Sequence, residues 1–171
     1  HYKTWLSDET LYKRWRALVL GGRVIAVGGD LTKAVALGQV AAFLKKIGMN
    51  LGVVYFSNAE EYWGTYHKPF RKAIIAMPAG SKSVVLRGTF MRGHDQADNL
   101  YHYSVQSLTD FAAWMKIPHW MSATYMVRIG KKLLKGTYFS RIEGPTPERL
   151  KVLTDLIKKI RAQRKKRHKN K

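Results

Sequence analysis

Two short segments of this sequence carry residue types that acid–base or cofactor chemistry would need. Gly28-Gly29-Asp30 follows the β-branched run Val24 to Val27 and precedes a helix-forming stretch. Glycines at such a turn let a phosphate or cofactor approach the backbone at a helix N-terminus. Ser57-Asn58-Ala59-Glu60-Glu61 follows a second apolar run, Leu51 to Phe56. In an open parallel sheet the carboxyl ends of adjacent strands border one crevice, so Asp30 and Glu60 are expected as neighbours there. Adjacent carboxylates raise one another's proton affinity and can serve as acid and base. The expected cofactor contacts are Gly28, Gly29, Asp30, Ser57 and Asn58, and the catalytic candidates are Asp30, Glu60 and, from a later strand, His102. A structural reading stands beside this one. The glycines then only make a tight turn, Asp30 caps the helix, and Ser57 or Asn58 caps another with acids in its first turn.

His94, Asp95, Asp98 and His102 form the densest group of titratable side chains. Their spacing matches no metal motif and reads as a polar loop before a strand, so no metal site is expected. His67 and His119 are weaker candidates. Tyr62, Trp63 and Tyr66 beside Lys68, Arg71 and Lys72 could stack on bases or complete the core. Trp63 is assigned to the core and Tyr66 is left between the two. No Walker loop, nucleophile elbow or His-Glu-x-x-His pattern occurs.

The elements that must position these groups follow from caps and periodicity. Ser7 caps a helix over 7–20 that Gly21-Gly22 end. Strand 24–27, a helix over 33–47 closed by Gly48, and strand 51–56 make a βαβ unit with a parallel pair. That helix is apolar around most of its circumference, so it is expected to be covered on both sides. A short basic helix over 66–76 with Pro69 in its first turn, a strand over 83–87 and another over 100–106 come next. Ser107 then caps a helix through Met115. Residues 123–129 and 137–142 read as strands of a hairpin joined by a basic connection. Thr146-Pro147 opens the last helix, with Leu150, Leu153, Ile157 and Ile160 facing the core. The fold class is α/β, Rossmann-like, with a mostly parallel sheet flanked by helices. Residues 1–160 form a single domain and residues 161–171 a basic flexible tail.

Charge is the loudest compositional signal. The net charge of the 171 residues is +20, and residues 131–171 hold 15 Lys and Arg against three acids. A balance this lopsided predicts contact with a polyanion. Lys158, Lys159, Arg161, Arg164, Lys165, Lys166 and Arg167 are the expected nucleic-acid contacts. The lack of cysteine excludes disulfides and thiolate metal sites. No apolar stretch is long enough to span a bilayer. The chain begins with His rather than Met, which points to an upstream segment outside it.

Val27-Gly28-Gly29-Asp30, then Val54 to Tyr62, Ser83 to Arg87 and Tyr101-His102-Tyr103 together resemble an uncharacterised bacterial family. That family has a Val-Gly-Asp turn and a Tyr-Leu-Ser-Asn-x-Glu-x-Tyr strand end, and the likeness covers roughly residues 20–110. It implies a Rossmann-like, methyltransferase-related fold and no established activity. The extra Gly28 and the basic tail depart from the pattern. The resulting expectation is a nucleic-acid-associated domain, in one form an enzyme using a nucleotide cofactor such as S-adenosylmethionine on RNA or DNA. The alternatives are a non-catalytic nucleic-acid or ribonucleoprotein adaptor, and a secreted, nuclease-like antibacterial toxin domain. A cytoplasmic location goes with the first two.

Overall fold

The computed structural model describes residues 3–89, 101–117, 121–135, 137 and 139–169, without the side chains of residues 161 and 163–169. Helix α1 (Glu9–Leu20) is capped by Asp8 rather than the expected Ser7, because the Asp8 carboxylate accepts from the Leu11 amide at 3.0 Å. Ser7 is engaged by Thr4 instead. Helix α2 (Val35–Lys46) follows Ala34, which adopts the left-handed conformation with φ 57°. Asp30 does not cap α2. Its carboxylate accepts from the amide and hydroxyl of Thr32, closing a turn of its own.

Strand β1 (Leu51–Tyr55) leads through a 3-10 turn (Ala59–Tyr62) and helix α3 (Lys68–Ala76) to strand β2 (Ala79–Thr89). Strand β3 (His102–Ser107), helices α4 (Leu108–Met115) and α5 (Ala123–Gly130), strands β4 (Lys131–Leu133) and β5 (Phe139–Ile142), and helix α6 (Pro147–Lys169) complete the order. The five strands form one sheet in the order β1-β2-β3-β5-β4. It is a mixed sheet: β1–β2 and β3–β5 pair parallel, and β2–β3 and β4–β5 pair antiparallel.

Two expected strands are not strands. Residues 24–27 join no ladder, and Val24, Ile25 and Val27 are exposed, Ile25 at 76%. β-propensity is realised only against a neighbouring strand, and among the described residues none pairs with this segment. The parallel βαβ unit is therefore β1–α3–β2, one crossover later than expected. Residues 123–129 are helical, because Ser122 caps the segment by accepting from the Tyr125 amide. Ala123, Met126, Val127 and Gly130 then recur on one buried face, a 3.6-residue period that overrides the β-branched content. The hairpin is formed by β4 and β5 instead. Gly130 is required where α5 meets β5: a Cβ there would stand 2.9 Å from the Glu143 carbonyl oxygen and 3.1 Å from Ile142 Cγ2.

Other boundaries agree with the local signals. Ser107 accepts from the Asp110 amide at 3.0 Å to open α4, and Thr146 accepts from the Arg149 amide to open α6. Among the described residues helix α2 packs on α3 and leaves Val35 and Phe43 exposed, short of the expected double cover. The core lies between the sheet and helices α3, α4 and α5, around Phe56, Phe70, Phe111, Trp114 and Met126. Leu153 is buried, and Leu150 and Ile157 pack beside it, so α6 docks by its apolar stripe. The helical backbone continues past Ile160 to Lys169.

Candidate functional site

Strand alternation sends one set of side chains toward the helices and the other set away. Val85, Arg87, Thr89, His102, Ser104, Gln106, Ser140 and Ile142 face the helices and are buried. Arg87 is 1% and Glu60 2% exposed, and they form an ion pair in which Arg87 Nε donates to Glu60 Oε2 at 2.6 Å. Tyr66 Oη donates to the other carboxylate oxygen at 2.6 Å, and Arg87 Nη1 donates to Gln106 Oε1 at 2.9 Å. The Arg87 guanidinium also lies 4.9 Å from the centre of the Phe111 ring. Burial, then the negative charge of Glu60, pushes the Tyr66 phenol well above its usual pKa of 10.0. His102 bonds through Nε2 to the Ser140 hydroxyl on the adjacent strand.

Glu60 is thus held in the core by two donors, and His102 is buried on the same side of the sheet. Asp30 lies at the surface, where the Thr32 hydroxyl and then its amide hold the carboxyl below the usual range. Asp30 is partnered by Thr32 and Lys33, Glu60 by Tyr66 and Arg87, and no described contact joins the two carboxylates. Gly28 and Gly29 precede α2 without a strand behind them, so the turn forms no strand-to-helix cradle for a phosphate. His94, Asp95, Asp98 and His119 lie outside the described residues. Among the described residues no group of His, Asp and Glu is arranged to hold a metal.

Ser57 and Asn58 behave differently. With Tyr55, Gly88, Tyr101 and Tyr103 they line a cavity of ≈ 330 Å³ beyond the carboxyl ends of the parallel pair β1 and β2. Ser57 has φ 52°, and its carbonyl accepts from the Gly88 amide at 2.8 Å, extending the link between the two strands. A non-glycine residue in this region is uncommon and concentrates at functional positions. Asn58 Nδ2 donates to Tyr101 Oη at 3.0 Å, tying one wall of the cavity to the other. The three tyrosines were not among the expected site residues. For two of them a signal was present in the spacing Tyr101-x-Tyr103, which puts both rings on one side of extended chain.

Trp63 packs against Tyr66 and Phe70, and Tyr66 is itself buried, so both rings belong to the core. Arg71 is committed to the backbone carbonyls of Met115 and Ile117. A family model described as a domain of unknown function, DUF7790, matches residues 1–143.

The chain belongs to the DUF7790 family.

No curated protein matches the sequence. The DUF7790 match takes in all five strands and the tyrosine-lined cavity, and it ends before α6 begins. A family of unknown function agrees with the uncharacterised family expected from the sequence. Along α6, Lys151, Lys158 and Lys159 are exposed while Leu153 is buried. Within the described residues no helix is long and apolar enough to cross a membrane.

Proposed function

We propose that this DUF7790 protein is a nucleic-acid-binding module that docks on RNA or DNA without reacting with it. The observation that carries this reading is the docked helix α6: Leu150, Leu153 and Ile157 seat it, and Lys151, Lys158 and Lys159 face solvent. Cations on a seated helix define a surface at fixed spacing. Arg161, Arg164, Lys165, Lys166 and Arg167 continue the same run of charge. Phosphate contacts release counterions, so affinity should fall steeply between 50 and 200 mM salt, with a slope of about 0.9 per phosphate contact. A salt series with a labelled oligonucleotide tests the reading, beside a variant carrying Lys151→Glu, Lys158→Glu and Lys159→Glu. Weaker binding and a shallower slope in the variant are expected. No binding by the full chain at 50 mM salt would overturn the proposal.

The non-catalytic form is preferred because the carboxylates of Asp30 and Glu60 are each engaged elsewhere. One observation favours a second reading, a Rossmann-like enzyme using an adenosine-containing cofactor such as S-adenosylmethionine. Ser57 and Asn58 line a cavity at the carboxyl ends of parallel strands, the position where open α/β sheets take ligands. Calorimetric titration of the full chain with S-adenosylmethionine decides it: heat of binding abolished by Asn58→Ala supports this reading, and no heat removes it.

A further inference from the structure

The side of the sheet that faces away from the helices is apolar, aromatic and basic. Strand register places its residues in rows. Tyr55, Leu86, Val105, Arg141 and Lys132 lie side by side across all five strands. Gly88, Tyr103 and Phe139 form the next row, and the Tyr103 and Phe139 rings are 6.1 Å apart. Val53 and Val84 lie in the row on the other side. Among the described residues no helix covers this face. Tyr55 is 61% and Phe139 46% exposed.

The charge on this face has one sign. The five strands contain no Asp or Glu, and Lys82, Arg141 and Lys132 are exposed on it. No carboxylate among the described residues pairs with these three cations. A partner for the face must therefore offer flat apolar surface and negative charge together, within a few ångströms of each other. Single-stranded nucleic acid does so at every residue: bases stack on aromatic rings while cations track the backbone. A duplex hides its bases and cannot. Strands are spaced about 4.8 Å apart, so the row from Tyr55 to Arg141 spans about 14 Å, room for two or three nucleotides.

We infer that the uncovered sheet face is a stacking platform for single-stranded nucleic acid, with Tyr55, Tyr103 and Phe139 as base contacts and Lys82, Lys132 and Arg141 as phosphate contacts. The inference rests on the nucleic-acid reading above and gives it a second, chemically distinct surface. Helix α6 supplies charge alone and holds single and double strands alike, whereas the sheet discriminates between them. The tyrosine-lined cavity closes the platform at the carboxyl ends of β1 and β2, where one unstacked base can enter.

The test is fluorescence anisotropy of the full chain with a 12-nucleotide oligo-U, oligo-dT and a duplex of equal length, at fixed salt. Single strands should bind more tightly than the duplex. Phe139→Ala and Tyr55→Ala should each weaken single-strand binding on the order of tenfold and leave duplex binding unchanged. Tyr103→Phe, which keeps the ring, should retain affinity. Phe139→Leu, which keeps apolar volume but not the π-face, should lose it; circular dichroism and melting of each variant confirm that it is folded. Equal affinity for single strand and duplex would overturn the platform and leave the α6 reading standing. So would Phe139→Leu binding like wild type. No binding of any oligonucleotide would overturn both.

Discussion

The two faces of the sheet invert the usual distribution of polarity. The face against the helices buries an Arg–Glu pair, a glutamine, a histidine, a threonine and three serines, while the face away from them presents tyrosines, phenylalanine, valines and leucine. Buried charge is tolerated because each group meets a partner of matched geometry: Glu60 takes Tyr66 and Arg87, and Arg87 takes Gln106 and the Phe111 ring. Such a pair contributes little net stability but leaves a costly charge behind when half of it is removed. Exposed rings on the other side contribute little to folding, because their surface is not removed from water in the isolated chain. One face thus pairs most of its polar groups internally, leaving Arg87 Nη2, Ser104 Oγ and Gln106 Nε2 without a partner among the described residues, while the other keeps its rings in water.

Substitutions in the core and on the open face test that contrast. Glu60→Ala should be the most damaging, about 3–5 kcal/mol by chemical denaturation, because it strands the Arg87 guanidinium in the core. Replacing Glu60 and Arg87 together by Gln and Met should recover part of the loss; an unaltered midpoint for Glu60→Ala alone would refute the assignment of this pair as structural. Gly130→Ala should cost about 1–3 kcal/mol by pushing α5 off β5, read as a lower melting temperature.

Tyr66→Phe should cost about 1–3 kcal/mol near neutral pH, since one buried oxygen of Glu60 loses its donor. It should also change the alkaline limb. The Tyr66 phenol has a folded-state pKa above its unfolded value of 10.0, so the native state holds the proton more tightly. Its stabilising contribution is complete below pH 10.0 and is lost as pH rises from there toward the raised value. Melting temperatures at pH 8, 10 and 11 should therefore decline more steeply in wild type than in Tyr66→Phe. The smallest effects belong to the open face. Tyr55→Ser and Phe139→Ser should each shift stability by less than about 0.5 kcal/mol while oligonucleotide binding weakens. A large loss of stability there would mean that the face packs against part of this chain.

Local chemistry made several elements legible. Ser107 and Thr146-Pro147 announced α4 and α6, and Pro69 the start of α3, because a cap acts within its own few residues. Strand β1 was readable from its continuous apolar run. Residues 24–27 misled for the opposite reason, since a strand needs a neighbour that no local pattern supplies. The site was legible in part: Ser57 and Asn58 line the cavity, but Glu60 lies on the core side paired with Arg87, a partner that no local pattern indicates. In β3 the alternation of Tyr103-x-Val105 with His102-x-Ser104-x-Gln106 left either set free to face inward, and the polar set does.

By itself the sequence determined the caps of α4 and α6, the α/β class, the absence of disulfides and the concentration of positive charge near the C-terminus. These properties depend on residues close together in the chain or on composition. Only the tertiary structure decided which face of the sheet the helices cover. A period of two marks two faces without saying which is inside. That choice rests on partners far apart in sequence: Glu60 meets Arg87 27 residues on, and His102 meets Ser140 38 residues on. Once those polar groups pair within the core, the rings of Tyr55, Tyr103 and Phe139 have only the outer face left to occupy.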